Sequence, residues 1–412
     1  MELRASLRTA TGVVVERTVQ IRWVSLTDRQ NRRPPRPRPS LLVPRSLSPA
    51  SKSFPVPTLW NKVSVGRITL PHRLAMAPMT RSRALADGSP TPLMAEYYTQ
   101  RASMGLLITE GTQPSDDGQG YLLTPGIYRP EHVAAWRLVT DAVHEAGAHM
   151  FLQLMHVGRN AHPDNTPHHR PALAPSAIAP GTEIFTAAGM QRSPPPREMT
   201  SDDIATTISD FQHAAKNAID AGADGIELHG ANGYLLHQFL SPNANHRSDQ
   251  YGGSTENRSR FVIKVAAAVA EEIGADRVGI RFSPGQATGG IDEGNTVAEQ
   301  YHHLVAALEP LGLAYLHLVQ IGDEELLRDI RHTWSSALLV HRPGRDLDSL
   351  SDDVETGTAD IVPVGRWALA NPDFIERLRH NAPLNDADPS TFYGGGAAGY
   401  TDYPTLASSA QK

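Results

Sequence analysis

The stretch "SDDIATTISDFQHAAKNAIDAGADGIELHG", residues 201–230, contains a long helical pattern followed by a short apolar run. The helical part, 201–222, begins with residues that favour a helix start and ends at Gly222. The apolar run, 225–230, is typical of a strand that is covered on both faces. The stretch therefore predicts one helix-to-strand unit of a parallel sheet.

The same alternation repeats on both sides of this unit, with further helical patterns at 131–147, 258–274 and 295–312. Eight units spread over about 310 residues predict an α/β fold, a single-domain (β/α)8 TIM barrel. An open, doubly wound sheet is the alternative. The eight candidate strands are 73–79, 105–111, 149–156, 225–230, 277–284, 314–320, 336–342 and 360–366.

The composition excludes several classes of protein. The chain has 412 residues, a net charge of −6 and no cysteine. Without cysteine there are no disulfides, thiolate metal sites or cysteine nucleophiles, and a reducing compartment is consistent with this. No apolar run has the length that a membrane span needs. We therefore expect a cytoplasmic protein without a membrane or nucleic-acid partner.

Residues 1–53 differ from the rest of the chain in charge. They hold eleven basic and three acidic residues and include "RQNRRPPRPRPSLLVPRSLSP". Proline and arginine at this density bury little apolar surface, which predicts a disordered basic extension. A nucleic-acid-binding arm, a targeting peptide and a start upstream of the native one are the alternatives. The predicted barrel domain is 54–406, and a short tail, 407–412, follows it.

Polar residues cluster where the candidate strands end. Thr80 follows the first strand, and Gln153 lies in the third. His229 is near the end of the fourth strand, and Arg281 lies in the fifth. Because the C-terminal face of a (β/α)8 barrel carries the active site, these side chains are candidates for one site. An arginine inside a short strand needs an anion or a carboxylate beside it, so a structural ion pair is the alternative for Arg281.

The fourth strand continues into "IELHGANGYLLHQFL", residues 226–240, which places His229, Asn232 and Tyr234 within six residues. Two hydrogen-bond donors and a phenol at a strand end can polarise a carbonyl and deliver a proton. A polar loop without a chemical role is the alternative.

Longer motifs resemble the Old Yellow Enzyme family of flavin-dependent ene-reductases, in particular its bacterial N-ethylmaleimide reductase branch. The longest match is "ELHGANGYLLHQFLSPNANHRSDQYGGSTENRSRF", residues 227–261. Shorter matches are "APMTRSRA", "LQLMHVGR", "GIRFSP", "GRWALANPD" and "FYGGGAAGYTDYPTL", which stand in the family's order. The resemblance covers residues 55–406, which is nearly everything except the basic extension.

The resemblance implies a flavoprotein enzyme. Such an enzyme binds FMN non-covalently across the barrel mouth, takes hydride from NAD(P)H and passes it by a ping-pong mechanism to an electrophilic alkene. The substrate would be an α,β-unsaturated carbonyl or a nitro compound, the role xenobiotic reduction, and the assembly a monomer or homodimer. A flavin-binding protein with little turnover and a flavin-free barrel lyase or isomerase are the alternative functions.

The resemblance also implies which residues hold FMN. Thr80 would hydrogen-bond the flavin C4 carbonyl, and Gly111 would lie beneath the ring, where a side chain would prevent close approach. Gln153 would pair with the pyrimidine edge. Arg281 would face the N1–C2 region and stabilise the charge that reduction places there. The remaining cofactor-binding positions are Pro78, Met79, His229, Gly344, Gly365 and Arg366.

The catalytic residues that the resemblance implies are His229, Asn232 and Tyr234. His229 and Asn232 would donate to the carbonyl oxygen of the alkene, where charge develops as hydride arrives. Tyr234 would then protonate the α-carbon. Tyr121 and Tyr393 would line the substrate-binding pocket together with His229 and Asn232.

One position departs from the family pattern. After the seventh strand, Pro343 stands where a glycine-rich turn would offer backbone N–H groups to the FMN phosphate, and proline has none. Arg342 or Arg345 would compensate with side-chain charge. We assign no role to the acidic segment 320–336.

Two other motifs are discounted. "GGGAAG", residues 394–399, fits the dinucleotide-binding pattern G-x-G-x-x-G but lacks its strand-to-helix context. His162, His168 and His169 lie in a proline-rich loop without regular ligand spacing, so we expect no metal site.

Overall fold

The computed structural model describes residues 56–320 and 322–409, together with two short antiparallel strands, Ser6–Arg8 and Val14–Glu16. The chain separates into two compact units, residues 1–54 and 55–412. Apart from those two strands, the predicted disorder of 1–53 falls outside the described residues and stays a prediction. The same holds for the last three residues of the tail.

Eight parallel strands form the predicted barrel. Each lies within one of the eight predicted strand segments, and their order around the sheet follows the order of the chain. A bridge between Leu339 and Ile361 joins the seventh strand to the eighth and closes the circle. A doubly wound sheet would reverse its strand order in the middle, so the barrel is confirmed over that alternative. The strands are β1 Leu74–Met76, β2 Leu106–Ile108, β3 His149–Leu154, β4 Gly225–His229, β5 Val278–Phe282, β6 Tyr315–Val319, β7 Ala337–His341 and β8 Val362–Val364.

Helices follow the strands and cover the outside of the barrel. All four predicted helices are present, with ends that differ from the predictions by a few residues. The helix Ser201–Asp220, for example, begins with a capping box in which Thr200 Oγ1 accepts from the Asp203 N–H and Asp203 Oδ2 accepts from the Thr200 N–H. The helices are α1 Pro92–Gln100, α2 Pro130–Glu145, α3 Ser201–Asp220, α4 Leu235–Leu240, α5 Thr255–Ile273, α6 Val297–Leu308, α7 Glu324–Thr333, α8 Asp352–Glu355, α9 Arg366–Ala370, α10 Phe374–His380 and α11 Leu406–Ser409.

A β-hairpin, Val63–Val65 with Ile68–Leu70, closes the N-terminal end of the barrel. Its buried residues pack with barrel residues such as Phe151 and Tyr315. The turn residue Gly66 has φ +52°, and a Cβ there would lie 1.9 Å from the Asp276 carbonyl oxygen, so only glycine fits. With this end filled, the open mouth is at the C-terminal ends of the strands.

A second hairpin, Glu183–Thr186 with Gly189–Arg192, lies in the long connection between β3 and α3. A short parallel pair, Leu173–Ala174 with Arg197–Glu198, joins the segments on either side of this hairpin. Side chains of the hairpin line the barrel mouth, so this insertion forms part of the site described below. Across the described part of the chain, no helix combines the length and the apolar character that a membrane span requires.

Candidate active site

A cavity of about 760 Å³ opens at the C-terminal mouth of the barrel. Its lining includes Thr80, Tyr121, Asn232, Tyr234 and Tyr393, five residues that come from four separate parts of the chain. The structure therefore brings together residues that the sequence analysis assigned to one site. The hairpin contributes Ile184, Phe185 and Met190 to the same lining, and the sequence analysis assigned no role to these.

The loop after β4 carries two of these residues in a conformation that needs particular residue types. Asn232 has φ +56° and Gly233 has φ +83°, both in the left-handed region that asparagine and glycine tolerate best. A Cβ on Gly233 would lie 2.4 Å from the Thr288 carbonyl oxygen. The Asn232 N–H donates to Ser283 Oγ at 2.9 Å, which fixes the turn. The loop thereby presents the Asn232 and Tyr234 side chains to the cavity.

His229, the last residue of β4, lies behind this loop. It is buried, its ring centre is 4.9 Å from that of Tyr234, and its Nδ1 has no hydrogen-bond partner among the described residues. Burial, together with the nearby Arg281, His317 and His237, holds the pKa of His229 well below its ordinary value. His229 is therefore neutral at physiological pH, with one ring nitrogen as a donor and one as an acceptor.

The Tyr234 hydroxyl lies 3.2 Å from the Tyr121 hydroxyl. Burial raises the pKa of Tyr234 well above its ordinary value, and the neighbouring Tyr121 raises it further. Burial also raises the pKa of Tyr121. Both phenols therefore keep their protons at physiological pH, and Tyr234 can serve as a proton donor.

Arg281, in β5, is a buried cation without a hydrogen-bond or ion-pair partner in the described part of the chain. Its side chain forms neither an ion pair nor a hydrogen bond within the described residues, and its Nε is buried. Burial lowers its pKa, although arginine stays protonated at physiological pH. A structural ion pair, the alternative from the sequence, is thus not found in the described part of the chain. A desolvated guanidinium of this kind is costly unless it meets a ligand.

A buried network beside Arg281 was not found by the sequence analysis. Glu227 accepts a hydrogen bond from Gln153 Nε2 at 2.7 Å, and its other oxygen lies 2.8 Å from His317 Nδ1. Burial acts to raise the pKa of Glu227, but His317, Arg281 and Gln153 outweigh it, so the pKa falls below its ordinary value. The carboxylate therefore orients the Gln153 amide and leaves the Gln153 oxygen free to accept a hydrogen bond. The sequence does contain a signal for this network, namely a glutamate and a histidine within otherwise apolar strands.

The other predicted FMN positions occupy the same end of the barrel. A Cβ on Gly111 would lie 2.5 Å from Met155 Sδ. Met155 would therefore have to shift to admit a side chain at position 111, and the approach of the flavin to Gly111 stays a prediction. Pro78, Met79 and Thr80 follow β1 and are half-buried. Met79 Sδ lies 3.6 Å from where a Cβ on Gly365 would stand, so the ends of β1 and β8 adjoin.

A second cavity, of about 470 Å³, lies beside the loops that follow β6 and β7. Gln320, Gly322, Gly344 and Arg345 are among its lining residues. Part of the segment 320–336, to which the sequence analysis gave no role, therefore reaches the mouth. Gly344 has φ +77°, and Arg366, after β8, is exposed.

The glycine-rich segment 394–399 forms bends and turns, and neither a strand nor a helix flanks it directly, so it lacks the context of a dinucleotide-binding motif. Its backbone is held by two arginines that the sequence analysis missed. Arg81 Nη2 donates to the Gly399 carbonyl at 2.8 Å, and Arg83 Nε donates to the Gly396 carbonyl at 3.1 Å. Both arginines lie in the quoted motif "APMTRSRA", and they position the segment that carries Tyr393.

Comparison with known proteins identifies relatives of this fold and site. Residues 58–385 match the NADH:flavin oxidoreductase / NADH oxidase family. The chain is 39% identical to 12-oxophytodienoate reductase 2 of Arabidopsis thaliana over 375 residues, which cover 88% of this chain and 98% of the relative. It is 40% identical to a probable flavin mononucleotide-dependent alkene reductase of Leishmania infantum over 370 residues, which cover 87% and 100%.

Solved structures agree with these matches. Morphinone reductase superposes with a TM-score of 0.83 at 40% identity, covering 86% of this chain and 98% of its own. A complex of morphinone reductase with tetrahydroNAD superposes with a TM-score of 0.82 at 40% identity, covering 85% of this chain and 98% of its own. An old yellow enzyme homologue from Zymomonas mobilis gives a TM-score of 0.81 at 34% identity, covering 85% and 100%.

Proposed function

Because this chain belongs to the NADH:flavin oxidoreductase / NADH oxidase family, the Old Yellow Enzyme family that its motifs resemble, we propose that it is an FMN-dependent ene-reductase. It takes hydride from NAD(P)H and delivers it to the C=C bond of an α,β-unsaturated carbonyl or a related activated alkene. One observation carries this proposal: Asn232 and Tyr234 meet at one cavity, and His229 lies directly behind Tyr234.

The residues at the barrel mouth fit FMN. Arg281 offers a buried positive charge that forms no hydrogen bond or ion pair with any residue the structure describes, which suits a ring that gains negative charge on reduction. The Gln153 oxygen, oriented by Glu227, suits an N–H of the pyrimidine edge. Thr80 lines the cavity and offers a hydroxyl to the ring's carbonyl edge. When bound, FMN supplies a two-electron carrier that accepts hydride from NAD(P)H and releases it to the alkene.

His229 and Asn232 bind and polarise the substrate. Each donates a hydrogen bond to the substrate carbonyl oxygen, and both bonds strengthen as charge develops on that oxygen. His229 is suited to this because its ring forms no hydrogen bond within the described residues that a substrate would have to displace. The left-handed backbone of Asn232 orients its amide without a rearrangement at the moment of reaction.

Tyr234 supplies the proton that completes the reduction. Its hydroxyl releases a proton to the α-carbon, so that the two carbons of the double bond receive one hydride and one proton. The Tyr121 hydroxyl, 3.2 Å away, is the nearest group that can return a proton to Tyr234. The rings of His229 and Tyr234 pack edge to face, which holds the donor beside the carbonyl site.

The pKa shifts predict a flat pH profile for the alkene-reducing step. The pKa of His229 is lowered and that of Tyr234 is raised. Between about pH 6.5 and 10, the ordinary values for the two side chains, neither group changes its protonation state. We therefore expect the single-turnover rate of alkene reduction to vary less than about threefold across this range. Stopped-flow measurements at fixed ionic strength test this.

Glu110 is the buried carboxyl that could disturb this profile. Burial raises its pKa to about 7, although the Arg81 and Ser82 N–H groups donate to it. An inflection near pH 7 that disappears in Glu110→Gln would assign the pH dependence to this carboxyl. An inflection that persists in Glu110→Gln would contradict the protonation states given to His229 and Tyr234.

The hairpin predicts which alkenes fit. Phe185 and Met190 are cross-strand partners at the cavity rim, and 62% and 60% of their surfaces are exposed. Exposed apolar side chains at a pocket mouth favour a substrate that carries an apolar substituent. We expect the Phe185→Ala, Met190→Ala double variant to lower kcat/KM about tenfold for an enone with a long alkyl or aryl substituent. The control substrate is 2-cyclohexenone, which is too small to reach the rim and should react unchanged. Equal losses on both substrates would contradict this role.

Product analysis tests the proposed reaction. The full chain, loaded with FMN, is incubated anaerobically with NADH or NADPH and 2-cyclohexenone. We expect cyclohexanone to form in equal amount to the nicotinamide oxidised. Formation of 2-cyclohexenol would mean that the carbonyl is reduced instead of the C=C bond. Oxidation of nicotinamide only when oxygen is admitted would favour a flavoprotein without alkene turnover.

We further propose a cytoplasmic location and a role in xenobiotic reduction. The absence of cysteine supports the cytoplasmic location, and the apolar rim, which suits varied electrophiles, supports the role in xenobiotic reduction.

For the assembly we propose a monomer or a homodimer. Size-exclusion chromatography with light scattering distinguishes the two.

A further inference from the structure

The turn after β7, residues 341–346, has an unusual composition for a phosphate-binding loop. Barrel enzymes frequently bind phosphate with the loops after the seventh and eighth strands, and backbone N–H groups usually serve as donors. Here Pro343 removes one such donor. The bridge between Leu339 and Ile361 places this turn next to Gly365 and Arg366, which follow β8.

Arg342, the first arginine of the turn, forms four hydrogen bonds to carboxylates. Its Nη1 and Nη2 both donate to Glu324, the latter at 2.9 Å. Its Nε donates to Asp353 at 2.8 Å, and its Nη2 also donates to Asp353 at 3.0 Å. The two carboxylates therefore engage all three guanidinium nitrogens, and Arg342 serves to hold the turn against α7 and α8.

Arg345 is different. Its Nη2 donates to Asp353 at 2.6 Å, which fixes the orientation of the guanidinium. Its Nη1 is buried and has no hydrogen-bond partner within the described residues, and only 11% of the side chain is exposed. A buried N–H group that lacks a partner is costly, so a ligand that accepts from it gains affinity. Arg345 also lines the cavity of about 470 Å³ beside the turn.

We propose that Arg345 is a phosphate ligand of this protein, in which its Nη1 takes the place of the backbone N–H that Pro343 lacks. The ligand is a phosphate monoester, and the inference rests on the proposed function, since FMN carries that group. Asp353 is the positioning residue: it balances part of the positive charge of Arg345 and leaves the Nη1 group for the phosphate. Glu324 and Asp353 offset the positive charges of Arg342 and Arg345. The phosphate is therefore recognised by the direction of the Nη1 hydrogen bond more than by net charge.

Riboflavin provides the test because it is FMN without the phosphate. Flavin-free full-length protein is titrated with FMN and with riboflavin, and quenching of flavin fluorescence gives both Kd values. We expect Arg345→Met to weaken FMN binding about 10- to 100-fold, the loss of one charge-assisted hydrogen bond. Riboflavin binding should change less than about threefold. Arg345→Lys keeps the charge but not the fork, and should lose part of the preference for FMN. Arg328→Met, an exposed arginine on α7, is the matched control and should leave both Kd values unchanged.

The outcomes separate this inference from the proposed function. If the wild-type protein binds neither flavin, the proposed function fails and the inference with it. If the wild type binds FMN and riboflavin equally, or Arg345→Met keeps the wild-type preference for FMN, only the inference fails. Equal weakening of both flavins in Arg345→Met and Arg345→Lys would mean a structural role. Inorganic phosphate should compete with FMN and not with riboflavin. If phosphate weakened the binding of NADPH alone, the site would hold a phosphate of the nicotinamide cofactor, which would contradict the proposal.

Discussion

Replacement of Tyr234 by phenylalanine is expected to slow alkene reduction by about 100- to 10,000-fold, the usual contribution of a positioned general acid. The substitution removes only the hydroxyl that donates the proton and keeps the ring that packs against His229. Reduction of the bound flavin by NADH needs no proton from this residue, so its rate should stay within about threefold of the wild type. Anaerobic stopped-flow spectroscopy measures the two half-reactions separately.

Tyr121→Phe is the matched control for this variant. It removes the neighbouring hydroxyl, 3.2 Å away, but leaves the Tyr234 proton in place. The first alkene turnover should therefore stay within about threefold of the wild type. Equal loss in the two variants would show that the hydroxyl pair acts as a unit. Wild-type alkene reduction by Tyr234→Phe would exclude Tyr234 as the proton donor.

His229→Ala is expected to have the second largest effect. It removes a preorganised donor to the substrate carbonyl, and loss of one such donor lowers the rate about 100- to 1,000-fold. Asn232→Ala should cost less, about tenfold, because Asn232 is half-buried and water can replace its amide. Single-turnover rates at saturating 2-cyclohexenone give both values.

The His229 variant also requires a check on the cofactor. The wild-type and His229→Ala proteins are compared for FMN Kd and for thermal unfolding temperature before the rates are interpreted. A fall in alkene reduction that only matches a fall in FMN occupancy would mean that His229 holds the flavin and does not polarise the substrate. Loss of activity with full FMN occupancy is the expected result.

Much of the fold could be predicted from the sequence because a parallel barrel imposes a repeated local pattern. Each strand is covered on both faces, so it reads as a short apolar run, and each helix has recognisable ends. Helix α3 illustrates this, since its end near Gly222 was predicted and its start is fixed by a capping box between Thr200 and Asp203, which are close in the sequence. Closure of the sheet by Leu339 and Ile361 is a long-range contact that no local pattern indicates.

The candidate site was predictable where its residues stand together in one motif. His229, Asn232 and Tyr234 lie in six consecutive residues, and the structure places all three at or directly behind the mouth. Glu227 and His317 were missed because they lie on different strands, 90 residues apart, and meet only when the barrel closes. Their pairing is what orients Gln153.

Two other features depend on tertiary packing and have no local signal. A Cβ on Gly111 would meet the side chain of Met155, on the continuation of the neighbouring strand. The hairpin residues Phe185 and Met190 look like an ordinary exposed pair in sequence. Their role at the rim follows from where the long β3–α3 connection folds.

The most direct test of the proposed function is a two-stage anaerobic titration of the FMN-loaded protein. NADH is added until the flavin absorbance bleaches, excess nicotinamide is removed, and 2-cyclohexenone is then added. An FMN-dependent ene-reductase predicts that the absorbance returns, with one cyclohexanone formed for each flavin reoxidised. Bleaching without recovery on this or any other activated alkene would contradict the alkene-reducing role, and failure to bind FMN would contradict the flavoenzyme itself.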